Sequence, residues 1–212
     1  MMHLFLKIIL GLVLTTFMLP QQKKIKVFLA GDSTIAIKEK KAFPETGWGM
    51  PFVHFFDSTV QVENRAKTGR STPTFIEEGL WQALINDVQT GDYVFVQFGH
   101  NDESEEKKDR YTTPDQYKRN LKRYIDETKA KGATPVLLTP VSRRKFKDGK
   151  ALETHTQYSA LVKEVAATSK VAFIDLDAKS RALYQQMGEE TSKLLFLQLQ
   201  PGAHPNYPDG KV

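Results

Sequence analysis

Three short polar stretches carry residue types suited to acyl transfer. They are Gly31-Asp32-Ser33-Thr34, the run NRAKTGRS from Asn64 to Ser71, and Gly99-His100-Asn101-Asp102. A serine hydroxyl acts as a nucleophile when it is exposed at a turn and a base takes its proton. The tetrahedral intermediate then carries an oxyanion, which needs donors aimed at it. Ser33 supplies the hydroxyl. The backbone N–H groups of Ser33 and Gly69 and the side-chain amide of Asn101 supply three donors. Glycine at 69 lets backbone approach a substrate closely. Asparagine at 101 is a neutral donor where an aspartate would repel the developing charge. Each stretch alone also has a plainer reading: glycines that turn the chain, Ser33 as a helix cap, Asn101 and Asp102 in an Asx turn. The case for chemistry is that all three occur in order, each directly after an apolar run.

Those runs are the elements that must position them. Lys26–Ala30, Val60–Glu63, Tyr93–Phe98, Thr134–Leu138 and Val171–Ile174 are rich in Val, Ile, Leu and Phe. Such runs fit buried strands of a parallel sheet covered on both faces. Between them, Ile76, Leu80, Leu84 and Val88 keep helical spacing. So do Tyr117, Leu121, Tyr124 and Ile125, and so do Tyr158, Leu161, Val162 and Val165. Thr113-Pro114-Asp115-Gln116 has the form of a capping box with proline at the first helical position. Thr74 with Glu77 and Thr154 with Gln157 make similar boxes. Gly132 is expected to end the helix over Lys118–Lys131. Alternating strand and helix implies an α/β sandwich with right-handed crossovers, which binds ligands beyond the carboxyl ends of its strands. The three polar stretches then share one rim.

The chain has 212 residues, 40% of them hydrophobic and 26% charged, which suits one domain with a full core. Residues 1–20 stand apart, with Lys7 ahead of an apolar core from Ile8 to Phe17. That is short for a membrane span and reads as a secretory signal peptide. The cleavage pattern is weak, so an uncleaved N-terminal anchor is the alternative. The expectation is a secreted or periplasmic protein with no stable membrane association after cleavage, and one domain over residues 21–212. There is no cysteine, which excludes disulfides and a lipid-modified cysteine. The net charge is +5, but basic and acidic residues alternate, as in Glu103–Arg110, and this describes a solvated face. No aromatic-and-basic pattern argues for nucleic acid.

The blocks GDST, NRAKTGRS and FGHND resemble the first three signatures of the SGNH, or GDSL-type, hydrolases. GWG (Gly47–Gly49), VQFGHND (Val96–Asp102), TPVSRRKF (Thr139–Phe146) and HPNYPDGK (His204–Lys211) are similar to the rhamnogalacturonan acetylesterase branch. The resemblance runs from about Ile25 to the end of the sequence. It implies a three-layer α/β/α sandwich with a five-stranded, flavodoxin-like parallel sheet in the order 2-1-3-4-5. It implies Ser33 as nucleophile, with Ser33, Gly69 and Asn101 forming the oxyanion hole. The implied activity is hydrolysis of O-acetyl esters on a pectin-derived oligo- or polysaccharide, with no metal or organic cofactor.

The fourth signature of that family is an Asp-x-x-His near the C-terminus, and this sequence contains none. Of its five histidines, His3 lies in the leader and His54 follows GWG, where a packed or surface role is expected. His100 neighbours the site and is a candidate to touch substrate. His155 falls in the first turn of a helix, and His204 lies in a Pro- and Gly-rich loop. None is expected to be the base. The expectation is therefore a domain incomplete at its C-terminus, without the family's last helix and with little or no esterase activity. Two other readings stand beside it. One is a carbohydrate-binding protein that keeps the pocket and has lost catalysis. The other is an acyl hydrolase for lipids or thioesters, against which the GWG and GHND blocks and the lack of an apolar lid argue.

Overall fold

The computed structural model describes residues 24–196. Four apolar runs become strands β1 (Ile25–Gly31), β2 (Val60–Asn64), β3 (Tyr93–Gln97) and β4 (Thr134–Leu138). A small antiparallel hairpin follows, β5 (Phe146–Lys147) with β6 (Lys150–Ala151), and then strand β7 (Ala172–Ile174). The five longer strands form one parallel sheet in the order β2-β1-β3-β4-β7. This is the expected order, with the fifth parallel strand displaced in numbering by the hairpin. The order reverses at β1, so the switch-point crevice opens between the ends of β1 and β3, where Gly31 pairs with Gln97.

The helices are α1 (Thr72–Glu77), α2 (Leu80–Asp87), α3 (Pro114–Ala130), α4 (Thr156–Ser169) and α5 (Leu176–Thr191). Alternate residues along a strand point to opposite faces. Phe28, Ala30, Val94, Val96 and Leu137 therefore meet Phe75, Trp81, Leu84, Leu121, Tyr124, Ile125 and Val162 of α1–α4 in one core. On the other face Val27, Leu29 and Ile35 form a smaller cluster, covered by Trp48 and Phe52. Phe52 belongs to a 3-10 turn over Pro51–Phe55 that also carries His54, whose side chain is exposed.

Several local expectations are corrected. The apolar spacing from Ile76 to Val88 spans two helices, because Gly79 adopts φ +76 and breaks the chain between them. The period survives the break since both pieces face the same core. The cap of α1 is Ser71 with Thr74, in place of Thr74 with Glu77. The cap position of α4 is His155. Thr154 instead accepts the Arg143 N–H at 2.9 Å through its hydroxyl. The Thr113 cap on α3 holds, accepting from the Gln116 N–H, and Gly132 follows the end of that helix at φ +71. Helix α5 carries no clear apolar stripe, with only Asp177 and Tyr184 buried, and the pattern does not announce it. The leader and the HPNYPDGK block lie outside the described residues, as does any helix beyond 196. Among the described residues no helix is long and apolar enough to cross a membrane.

Candidate active site

The end of β1 turns at once. Asp32 Oδ1 accepts from the Thr34 N–H at 2.9 Å and the Thr34 hydroxyl at 2.7 Å, an Asx turn that lifts Ser33 to the rim. Burial pushes the Asp32 carboxyl above its usual range, and these hydrogen bonds from Thr34 oppose the rise. Ser33 is half-buried. Among the described residues no hydrogen bond engages its hydroxyl or its backbone N–H. The Thr34 hydroxyl accepts from Gln97 Nε2 at 2.6 Å, and Gln97 Oε1 accepts from Trp48 Nε1 at 2.8 Å. The Trp48 N–H closes the loop on the Thr34 carbonyl at 2.8 Å. This explains the GWG block. A Cβ on Gly47 would sit 2.3 Å from the Ala36 carbonyl oxygen, so only glycine lets the Trp48 segment lie against the Ser33 turn.

The turn after β2 is stitched to both neighbours. The Lys67 N–H donates to the Gly31 carbonyl at 3.0 Å, and Asn64 Nδ2 donates to the Ile35 carbonyl at 2.9 Å. Gly69 holds φ +79, a conformation that strains any residue with a Cβ. Its N–H also lacks an acceptor among the described residues. Asn101, almost fully buried, donates through Nδ2 to the Arg70 carbonyl at 2.9 Å. One N–H of that amide is thus spent on holding the turn, and the other is left over.

Asp102 is the buried knot behind this arrangement. Its Oδ1 accepts from the Thr72 N–H at 2.9 Å, the Thr72 hydroxyl at 2.6 Å and the Thr112 hydroxyl at 2.9 Å. Its Oδ2 is buried without a partner. Burial pushes this carboxyl up to about 7; the bonds from Thr72 and Thr112 oppose that, and the charge of Asp32 adds to it.

The structure thus brings Ser33, Gly69 and Asn101 to one rim, on three adjacent strand ends joined by hydrogen bonds. Of the described histidines, His100 Nε2 donates to the Val141 carbonyl at 2.8 Å. Burial and then the nearby His155 and Arg143 hold its pKa well below the usual value, so it is neutral with Nδ1 as an acceptor. His155 is buried, with Nδ1 2.9 Å from the Glu103 carboxylate and Nε2 unpartnered. The His100 and His155 rings are 4.3 Å apart. Glu103 also receives Arg143 Nη2 at 3.0 Å. An open cleft of about 630 Å³ beside this cluster is lined by Glu103, Tyr111, Arg143, Gln157 and Tyr158 among others; Ser33, Gly69 and Asn101 do not line it. Among the described residues no group of three His, Asp or Glu could hold a metal ion.

Sequence reading missed the Trp48–Gln97–Thr34 bridge, the Asp102 knot and the His155–Glu103–Arg143 cluster. The first had a signal: Gln97 is the one polar residue in the apolar run YVFVQF. The other two join residues 10 to 52 positions apart and leave no local pattern.

Known proteins resemble this chain in sequence and in fold. The GDSL-like Lipase/Acylhydrolase family model matches residues 29–207. Rhamnogalacturonan acetylesterase RhgT of Bacillus subtilis is 43% identical over 190 residues, covering 89% of this chain and 81% of RhgT. The probable rhamnogalacturonan acetylesterase YesY of the same organism is 41% identical, covering 81% of this chain and 79% of YesY. The crystal structure of protein YxiM of B. subtilis superposes with a TM-score of 0.74 at 28% identity; the match covers 82% of this chain and 49% of that one, about half its length. The acetylxylan esterase Axe2 of Geobacillus stearothermophilus shares the fold, with a TM-score of 0.61 at 20% identity, over 78% of this chain and 82% of Axe2. With the sheet order, the three rim turns and a family match over most of its length, the chain belongs to the GDSL-like lipase/acylhydrolase family.

Proposed function

We propose that the protein is a serine ester hydrolase that removes acetyl groups from a carbohydrate of the acetylated rhamnogalacturonan, or pectin, type. Ser33 attacks the acetyl carbonyl through its hydroxyl oxygen. The N–H groups of Ser33 and Gly69 and the free amide N–H of Asn101 receive the oxyanion. The bond from the acetyl carbon to the sugar oxygen breaks, that oxygen takes up the proton Ser33 gave up and the sugar leaves as an alcohol, and water then adds to the acetyl carbon and releases acetate and the Ser33 hydroxyl. The observation that carries this reading is a Ser33 hydroxyl that, among the described residues, is unpartnered on a rim where two backbone N–H groups also lack acceptors. The similarity to RhgT and YesY supports the substrate class.

Proton transfer sets the pace in such a site. No Asp-x-x-His occurs in the 212 residues, and among the described residues the buried histidine–carboxylate pair, His155 with Glu103, has its free Nε2 enclosed. A serine hydrolase without its histidine loses about 10⁶ in turnover, while the oxyanion hole and binding keep roughly 10³–10⁴ over water. These residues alone are therefore proposed to acylate slowly and to deacylate more slowly still. A second reading is a protein that binds the acetylated glycan without turning it over. Residues 1–20 are proposed to direct export, leaving the domain over 21–212 outside the cytoplasm.

Incubation with a reactive aryl acetate tests the assignment. The expected result is an acetyl group accumulating on Ser33, seen by peptide mass spectrometry and missing from Ser33→Ala. No acetylation at Ser33, together with calorimetric binding of the acetylated oligosaccharide, would establish the second reading. Rapid release of acetate from the oligosaccharide would refute the proposed slow turnover. Faster cleavage of a long-chain ester than of an acetyl ester would refute the substrate class.

A further inference from the structure

We propose that Glu103 is a positioning residue for the oxyanion hole. Through Arg143 and His155 it fixes the peptide that joins His100 to Asn101, and so the aim of the Asn101 amide. The inference rests on the reading of Asn101 as an oxyanion donor given above.

Residues 99–104 form a compact turn. The Glu103 N–H donates to the Gly99 carbonyl at 3.0 Å, and the Ser104 N–H donates to the Asn101 carbonyl at 3.3 Å. These bonds shape the turn, but its placement on the rim needs anchors outside it. On one side the Asn101 amide holds the Arg70 carbonyl at 2.9 Å. On the other side the anchor is the His100 carbonyl, which is half of the peptide bond into Asn101. It accepts from Arg143 Nη2 and from the Ser104 hydroxyl, both at 3.3 Å.

Glu103 sets where Arg143 can stand. Arg143 Nη2 also donates to Glu103 Oε1 at 3.0 Å. The Arg143 side chain is long and 48% exposed, so without that carboxylate it would trade one pose for many. The carboxylate is itself tied down, because His155 Nδ1 donates to it at 2.9 Å and the His155 side chain is 0% exposed. His155 occupies the cap position of α4, and its ring lies 4.3 Å from that of His100. The Arg143 N–H in turn donates to the Thr154 hydroxyl at 2.9 Å. Glu103 thus ties together the turn after β3, the loop after β4 and the start of α4. Hydrogen bonds between ionised partners are roughly twice as strong as neutral ones, which suits such a tie. Glu103 and Arg143 line the open cleft, whereas Asn101 does not. Glu103 therefore acts on the oxyanion hole through the His100–Asn101 peptide and not by touching the reacting atoms.

The test is single-turnover acetylation of Ser33 by a neutral aryl acetate, on the full chain, over a range of ester concentrations. A misplacement of about 1 Å can cost on the order of 10² in rate. Glu103→Ala should lower the limiting rate by about ten- to hundredfold and leave the half-saturating concentration where it was. Glu103→Gln keeps an oxygen for Arg143 and should recover much of the rate, and Arg143→Ala should repeat the loss. The decisive comparison is with Asn101→Ala. The double variant Asn101→Ala/Glu103→Ala should be no slower than Asn101→Ala alone, since a residue that only aims Asn101 then has nothing left to aim. Losses that multiply in the double variant would overturn the proposal, as would an unchanged limiting rate in Glu103→Ala. Where Glu103→Ala also lowers the urea midpoint, the same double comparison with Arg143→Ala decides. No acetylation of Ser33 in the unaltered protein, or no loss in Asn101→Ala, would remove the oxyanion reading and this inference with it. A loss in Asn101→Ala without one in Glu103→Ala would remove this inference alone.

Discussion

The body of the sheet and its carboxyl rim are held by different forces. In the body, Phe28, Val94, Val96 and Leu137 are fully enclosed by α1–α4, and order comes from removing apolar surface from water. At the rim, polar side chains are just as buried, but each is fixed by directed hydrogen bonds. Asp32, Gln97 and Asp102 are 0% exposed, and their hydrogen bonds hold the rim turns together. The difference teaches where each kind of damage will appear. Burial is non-directional and additive in area, so a body substitution lowers stability and leaves the site's shape intact. Hydrogen bonds are directional, so a rim substitution moves donors and costs rate before it costs folding.

The largest expected effect on folding is in the body. Phe28→Ala leaves a cavity where a fully buried ring was, and should lower unfolding free energy by about 3–5 kcal/mol. Urea denaturation reads this directly, and a loss under 1 kcal/mol would mean the two regions are not distinct in the way described. The rim counterpart is Asn101→Ala. Removing one oxyanion donor costs on the order of 10²–10³ in rate. Acetylation of Ser33 should slow by about that factor while the urea midpoint moves little. A midpoint shift as large as that of Phe28→Ala would make Asn101 a structural residue only.

A smaller effect sharpens the boundary between the regions. Trp48→Phe keeps the ring contact with Phe52 but removes the donor to buried Gln97. An unsatisfied buried acceptor costs about 1–3 kcal/mol. We expect this modest loss of stability together with slower Ser33 acetylation, because Gln97 also holds Thr34. Unchanged acetylation would detach the GWG block from the Ser33 turn. A pH profile probes the rim's buried carboxylate directly. Between the usual aspartate value near 3.8 and about 7, Asp102 keeps its proton in the native state and loses it in the unfolded one. The unfolded state then binds fewer protons, so stability falls as pH rises through that window and flattens above it. Asp102→Asn mimics the protonated acid and should lack this part of the fall. Parallel melting profiles of the two proteins from pH 4 to 8 would refute it.

Much of the body was legible from local pattern. All five parallel strands begin or end within a residue of their apolar runs, since β-branched and aromatic clusters bounded by turn residues have few other uses. Helix α3 announced itself through its cap, its period and Gly132. The split between α1 and α2 was not legible, because Gly79 breaks the backbone without breaking the apolar period. Helix α5 was missed because it buries so little that no stripe marks it.

The same division runs through the candidate site. The sequence by itself determined that Ser33, Gly69 and Asn101 each follow a strand, and hence that they share a rim, because parallel strands with crossovers put all carboxyl ends on one side. Only the tertiary structure decided what surrounds them. Asp102 gathering Thr72 and Thr112, Gln97 joining Trp48 to Thr34, His155 turning to Glu103 and Arg110 lying over Gly69 are all contacts between residues distant in sequence. Local propensity and periodicity report on neighbours three or four positions apart. A hydrogen bond across 30 or 50 residues is set by how the loops pack once the sheet has formed, and it leaves no periodic trace in the chain.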